Sequence, residues 1–366
     1  MKITGIEVRR FRREAEARSA AEIVVVDVAT DEDVMGMGFA SAPPGTGALF
    51  AALIQDILAP QILGENPMLT EHLWQRMYTA RRFRGGEGYA RLCMAALDFA
   101  LWDIKGKHAG VPVSQLFGGH RSHIPTYANC AHHMPPDKLA ERAAEYVSRG
   151  HRALKIRGTL GFVTPREATE RVKHVREAIG PDVRLMVDVN GSWDVDTAIQ
   201  QLKAWERYDV YWLEEPVPPH DIPGYARVRE RAGGTYIAGG EQHAGLMEFR
   251  PLILEAGVDV VQPNAAVTGG ITDWLRIHAF ASAYGVPVSP WDLQPVHLHM
   301  AAGLANVQWI EYFMADNALM EFQIRLFKGP RLREEVTDEG VCLLAPEGPG
   351  LGLELDPEFA EKTLVR

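Results

Sequence analysis

Six apolar runs from residue 153 onward end in side chains able to hold protons, metals or anions. They close at Lys155-Ile-Arg157, Asp188-Val-Asn190, Glu214-Glu215-Pro216, Gly239-Gly240-Glu241, Gln262-Pro263-Asn264 and Glu311. Side chains at i and i+2 of an extended run share a face, so Lys155 can act with Arg157, and Asp188 with Asn190. Asp188, Glu214 and Glu241 follow one another at intervals of 26 and 27 residues. Three carboxylates brought together repel unless positive charge lies among them. An all-oxygen ligand set with room for water suits Mg2+. A single strand-end acid commonly does no more than cap the next helix. Three in succession, beside a lysine and an arginine, point to a metal site. A seventh run, VSPWDL (288–293), ends instead in Trp291 and Asp292.

The elements that would carry these groups alternate. IPTYANC, ALKIRG, RLMVDVNG, VYWLEEP, TYIAGGE, VDVVQPN, VPVSPWD and VQWIEYF read as eight strands, with an amphipathic helical stretch after each of the first seven. Such alternation implies parallel strands with crossover helices, and eight of them predict an α/β fold closed as a TIM-type (β/α) barrel. Catalytic groups of such barrels sit at the C-terminal strand ends, where these residues fall. The first part of the chain differs. KITGIEVRRF, EIVVVDVAT and DEDVMGMGFA read as strands, and helical stretches follow from about Leu49, the last stopping at Gly110 before Pro112. The expected organisation is an α+β unit over 1–123, a barrel over 124–326 and an irregular tail over 327–366 that packs back on the first unit.

With 366 residues, 46% hydrophobic and 23% charged, the chain has ample material for a core. Its net charge of −10 argues against a nucleic-acid surface. Three cysteines, Cys93, Cys130 and Cys342, are too few and too odd in number for a disulfide framework and fit a reducing compartment. The N-terminal stretch lacks a secretory apolar region, and no run approaches a membrane span, so a cytoplasmic protein with neither membrane nor nucleic-acid partner is expected.

AALDFALWDIKGKHAGVPVSQLFGG (95–119), ALKIRG, VDVNGSW, WLEEP, GGEQH, VVQPNAAVTGGITDW and QWIEY together resemble the enolase superfamily, mandelate racemase subgroup, over nearly the whole chain. The resemblance implies an α+β capping domain, completed by the C-terminal tail, over a modified barrel. It implies that Asp188, Glu214 and Glu241 bind Mg2+, with Glu215 turned to the other face as period 2 requires. The implied chemistry removes a proton α to a carboxylate and stabilises the enediolate with the metal. Glu311 matches a glutamate that hydrogen-bonds a substrate carboxylate oxygen when protonated, hence with a raised pKa. Asn190 matches a substrate-contacting position; a turn residue before Gly191 is the alternative. A small carboxylate substrate and a homo-oligomer are implied as partners.

The chain departs from the subgroup pattern three times. Arg157 stands where a second lysine serves as base. Asn264 and Trp291 stand where an Asp–His dyad serves the opposite face. Asn cannot ionise and indole has no basic nitrogen, so racemisation with a base on each face is disfavoured. A dehydratase needs fewer parts: one base for the α-proton and one acid for the leaving β-hydroxyl. Both Lys155 and Arg157 are candidate bases. Lys155 is slightly favoured because a guanidinium hardly deprotonates, and a metal with a neighbouring Arg would lower the lysine pKa. Trp291 and Asn264 are expected to line the substrate pocket. Tyr89 and His132 are further pocket candidates on loops, with His133 and His243 as lesser ones. Asp292 reads as a helix N-cap, and less readily as a displaced acid. Arg81, Arg82 and Arg84 form a basic cluster that could meet a dianionic substrate, a solvated helix end being the plainer reading. PPGTG (43–47) reads as a mobile capping loop. The expected activity is Mg2+-dependent dehydration of a sugar acid to a 2-keto-3-deoxy acid. Cycloisomerisation or epimerisation, and a non-catalytic carboxylate-binding barrel, are the alternatives.

Overall fold

The structure is a computed structural model and describes residues 1–13, 22–83, 85, 87–130, 134–158, 163–317 and 319–365. It opens with an antiparallel meander of β1 (Ile3–Arg12), β2 (Glu22–Thr30) and β3 (Met35–Ala42). β2 lacks a polar face because it is covered on both sides. Val24, Val26 and Val28 enter the core formed with the first helices, while Ile23 and Val25 join the larger core that runs into the barrel.

Those helices are α1 (Gly47–Ala52), which runs on as a π-helix over Leu53–Leu58, α2 (Thr70–Arg81), the 21-residue α3 (Tyr89–Ala109) and the short α4 (Val113–Leu116). α3 is the seam between cap and barrel, and most of its residues are buried. It lies backbone-close to β3 because two residues there have no side chain. A Cβ on Gly36 would stand 2.1 Å from the Ala100 carbonyl oxygen, and one on Gly38 would stand 1.9 Å from that of Ala96. Buried acids of the same helix tie it outward. Asp98 accepts from Thr272 N (3.0 Å) and Oγ1 (2.6 Å), and Asp103 from Met37 N (2.9 Å) and Leu351 N (2.7 Å).

The barrel alternates as expected: β4 (His123–Asn129), α5 (Pro136–Ser148), β5 (Ala153–Arg157), α6 (Pro165–Ile179), β6 (Arg184–Asp188), α7 (Val195–Trp205), β7 (Val210–Glu214), α8 (Ile222–Glu230), β8 (Tyr236–Gly239), α9 (Leu246–Leu254), β9 (Val260–Val261), α10 (Ile271–Ala283), α11 (Gln294–Gly303) and β10 (Ile310–Tyr312). Strands β4 to β9 pair in parallel order, and β10 returns to pair with β4. The seventh strand position is reduced to one residue. Val288 bridges Val261 on one side and Val307 on the other. Pro287 and Pro290 flank it and withdraw the N–H groups that a longer ladder needs.

Inside the barrel, Tyr127, Ala153, Met186, Trp212, Ala238, Val260 and Trp309 form an apolar floor. Tyr127 meets Trp212 edge-on at 5.1 Å between ring centroids. Period 2 converts this floor into a site. Two residues after Ala153, Met186, Trp212, Val260 and Trp309 come Lys155, Asp188, Glu214, Gln262 and Glu311.

The C-terminal segment comprises α12 (Glu321–Leu326), β11 (Phe327–Gly329), the hairpin β12 (Glu334–Thr337) and β13 (Gly340–Leu344), β14 (Glu354–Leu355) and α13 (Pro357–Thr363). It reaches both units. β13 pairs antiparallel with the start of β4, while Leu364 bridges Phe11 and Val365 N donates to Arg10 O (2.8 Å).

Candidate active site

Ligand atoms of Asp188, Glu214 and Glu241 all lie within 4.8 Å of one another, and all three residues are buried. The register explains it. Arg157 is paired with Asp188, and Asp188 with Glu214, on adjoining parallel strands. Burial, reinforced by Glu214, pushes Asp188 up to about 7. Burial and the neighbouring acids hold Glu241 well above the usual carboxylate range. Glu241 Oε2 accepts no hydrogen bond; Asp188 Oδ2 also accepts none, but the Arg157 Nη1 atom stands 2.9 Å from it as an ion pair. A buried Glu241 oxygen without a donor, in a crowd of acids, fits a hard divalent cation.

Lys155 is 1% exposed. Its Nζ lies 2.7 Å from Glu214 Oε1 and 3.0 Å from Glu311 Oε1. Burial alone would lower its pKa, but Glu214 and Glu311 outweigh that and raise it well above the ordinary lysine value. This reverses the expected direction, because the lysine's closest partners are carboxylates. Burial raises the Glu311 pKa against the opposing pull of Lys155, in the direction expected. Glu311 Oε1 accepts from Asn129 Nδ2 (2.6 Å), and Oε2 faces Tyr127 OH (3.4 Å).

Four members of the cluster were given no role at the site from sequence. Glu215 was expected to turn away, yet its φ of 45° breaks the alternation. It stays buried beside the triad, accepts from Gln242 Nε2 (2.7 Å), and is pushed up to about 8 by burial and by Asp188. Gln262 Nε2 donates to Glu214 Oε2 (2.8 Å). Asn129 and Tyr127 frame Glu311 as above. Their signal was their position, at the end of the first barrel strand and on the same face as each other.

The remaining candidates scatter. Asn190, exposed and with φ 49°, donates to Glu241 Oε1 (2.9 Å) and Glu215 Oε2 (3.3 Å), so it is both turn residue and ligand clamp. Asn264 spends its side chain on backbone. Nδ2 donates to Trp291 O (3.1 Å), and Oδ1 accepts from Ala266 N (2.8 Å) and Val267 N (3.2 Å). It ties two strand ends together. Trp291 is half-buried. Asp292 is no N-cap: the cap position of α11 is Leu293, and no side chain bonds the helix start. Asp292 and Leu293 both have positive φ (56° and 47°), and burial pushes Asp292 up to about 7. Tyr89 is 43% exposed at the start of α3 and packs its ring on Phe50 (5.3 Å). His243 is buried against His220 and Phe249, and burial lowers it to about 4. Arg81 is buried while Arg82 is exposed. His132, His133 and Arg84 lie outside the described residues.

A capped barrel with this strand-end carboxylate cluster defines a class of enzyme, and the comparisons place the chain in it. Residues 6–118 match the mandelate racemase / muconate lactonizing enzyme N-terminal domain, and residues 138–359 match the enolase C-terminal domain-like family. The chain belongs to the mandelate racemase / muconate lactonizing enzyme family of the enolase superfamily. It is 32% identical over 309 residues to L-talarate/galactarate dehydratase of Salmonella typhimurium, covering 84% of this chain and 77% of that one. It is 31% identical to 3,6-anhydro-alpha-L-galactonate cycloisomerase of Streptomyces coelicolor, covering 92% and 90%. The crystal structure of L-talarate dehydratase from Polaromonas sp. JS666, complexed with Mg and L-glucarate, superposes with a TM-score of 0.88 at 29% identity, over 100% of this chain and 98% of that one. Mg2+ is the cofactor, held in solved relatives and matched here by the carboxylate cluster. Among the described residues, no helix is long and apolar enough to cross a membrane.

Proposed function

We propose that this chain is an Mg2+-dependent lyase that dehydrates a sugar acid, an aldonate or aldarate, to a 2-keto-3-deoxy acid. The observation that carries the reading is the one-sided arrangement of the mouth. Lys155 and Arg157 stand beside the carboxylate cluster, while the sixth and seventh strand ends hold the Asn264–Trp291 tie in place of an Asp–His dyad. Asp188, Glu214 and Glu241 would hold the metal, with Asn190 bonded to Glu241. When bound, Mg2+ supplies the positive charge that offsets the second negative charge developing on the substrate carboxylate. Glu311, whose pKa burial raises against the pull of Lys155, donates a hydrogen bond to that carboxylate when it takes up a proton.

Lys155 takes the α-proton. Burial already favours its neutral amine, and its opponents are two carboxylates. With Glu214 serving as a metal ligand, its hold on the ammonium would weaken. Arg157 remains charged and orients the substrate carboxylate. The ammonium so formed lies on the same face as the leaving β-hydroxyl and returns the proton there, a syn elimination of water. The relative from Streptomyces coelicolor named as a cycloisomerase supports a second reading, in which the same one-sided removal opens a ring ether instead of expelling water.

A screen of aldonates, aldarates and their anhydro forms with Mg2+ tests both. A 2-keto-3-deoxy product supports dehydration, and a ring-opened isomer supports the second reading. No product, and no α-proton exchange in D2O with Mg2+ demonstrably bound, overturns both. Lys155→Ala abolishes exchange, whereas Arg157→Lys retains part of it; the reverse result moves the base to Arg157.

A further inference from the structure

We infer that Arg81, in the cap, is an anion-binding residue that receives the end of the substrate remote from the reacting carboxylate, so that the preferred substrate carries a second anionic oxygen group, a carboxylate or a phosphate ester. The substrate half of this inference rests on the reaction proposed above; the anion-binding half does not.

Arg81 ends α2 and is 5% exposed. Both its Nη1 and Nη2 atoms are buried and without hydrogen-bond partners. Its Nε meets only the Met94 thioether (2.6 Å). Its guanidinium lies 4.8 Å from the centroid of the Tyr78 ring. Among the described residues it makes no ion pair. The acids that could serve it are engaged elsewhere: Glu87 by Arg91, and Asp273 by Arg91 and Arg276. Burial and the proximity of Arg91 lower Arg81 to about 10.

The contrast with Arg91 is informative. Both lie against the Tyr78 ring, both are buried, and both belong to the cap. Arg91 is fully used, bonding the Thr268 carbonyl (2.9 Å) and Asp273 (3.0 Å). A buried cation is retained when paired and is costly when not. A partner-free guanidinium beside a satisfied one marks a place where an anion from outside the chain belongs.

That place is linked to the barrel loops through Arg91. The Arg91 guanidinium crowds Gly245, where an added Cβ would meet Nη2 at 2.8 Å, and Arg91 also lies against Gly269. Gly245 follows the ligand Glu241 by four residues, at most roughly 14 Å of extended chain. Gly269 follows Asn264 by five. Arg91 therefore stands against the loops that follow the fifth and sixth strand ends, and Arg81 shares the Tyr78 ring with it. A guanidinium presents paired N–H groups that match a carboxylate or phosphate.

The full chain, loaded with Mg2+, is compared with Arg81→Met and Arg81→Lys. In anion-free buffer, Arg81→Met melts no lower than wild type, because an apolar side chain replaces an unpaired buried charge. Inorganic sulfate raises the wild-type melting temperature, raises that of Arg81→Lys less, and leaves Arg81→Met where it was. With a chain-length-matched pair, the ratio of kcat/KM for hexarate over hexonate falls at least about tenfold in Arg81→Met. A methionine variant that melts several degrees lower and still responds to sulfate like wild type makes Arg81 structural and overturns the inference. A wild type that prefers the mono-acid overturns its substrate half. If wild type turns over neither acid, the proposed reaction fails while the sulfate comparison still decides the role of Arg81.

Discussion

Lys155 is the buried cation on which the cluster is balanced, sharing its ammonium between Glu214 and Glu311. Removing one member of such a group costs more than the group contributes, because it strands the others. Lys155→Met leaves two buried carboxylates without their cation. We expect it to lose roughly 3 kcal/mol in urea unfolding with EDTA, and to recover part of that loss with Mg2+. Arg157→Met, at a side chain 18% exposed with one carboxylate partner, loses less. Equal losses would show that the lysine is not the anchor. The ligand trio was readable from residue type and spacing, since a strand of period 2 carries Met186 and Asp188, or Trp212 and Glu214, on one face. The lysine's surroundings were not, because Glu311 lies 156 positions away and arrives through barrel closure. Glu215 was hidden for a different reason: its positive φ reverses the face that alternation assigns, and a rotation of one dihedral leaves no trace in composition.

At the scale of elements, α3 and β3 set how the cap is held. The close approach at Gly36 and Gly38 places backbone against backbone, so there is no flexible side chain to yield. Gly38→Ala is expected to lower stability by about 2–3 kcal/mol. Gly5→Ala, where an added Cβ meets nothing within 4 Å, changes it little. Thermal melts of the two variants measure the difference. The alternation of strand and helix made the barrel legible, and seven helices follow the first seven strand positions as read. The seventh strand was over-read. VPVSPWD has the apolar content of a strand, but two prolines remove donors, and only Val288 keeps a ladder contact on each side. Asp292 was mistaken for a cap because the chain turns through two left-handed residues before α11 begins, a path that an Asp ahead of a helix does not announce.

At the scale of the molecule, α11 connects units far apart in sequence through two neutral histidines. His297 accepts from Ala265 N and, through Nδ1, meets Asp292 O (2.6 Å); His299 accepts from Ser114 N and, through Nε2, meets Leu351 O (3.1 Å). Each ring needs one bare nitrogen, and a second proton would face an amide N–H. Burial lowers both to about 4. The unfolded chain, with histidine near 6.5, binds more protons between those values, so their stabilisation is complete above about pH 6.5 and is lost as pH falls toward 4. At about pH 5 the loss is up to roughly 2 kcal/mol for each histidine. Urea unfolding at about pH 7.5 and 5 measures it, and His299→Gln, which keeps a donor and an acceptor, flattens the dependence. Leu351 also leads to a consequence for the order of assembly. The segment that follows the barrel supplies a strand to β4, a partner to Asp103 on α3 and a bridge to Phe11 on β1. A chain emerging from the ribosome makes β1 first and its partner Leu364 more than 350 residues later. The β1 strand thus gains this partner only when Leu364 has emerged, a long interval in which a chaperone has something to hold.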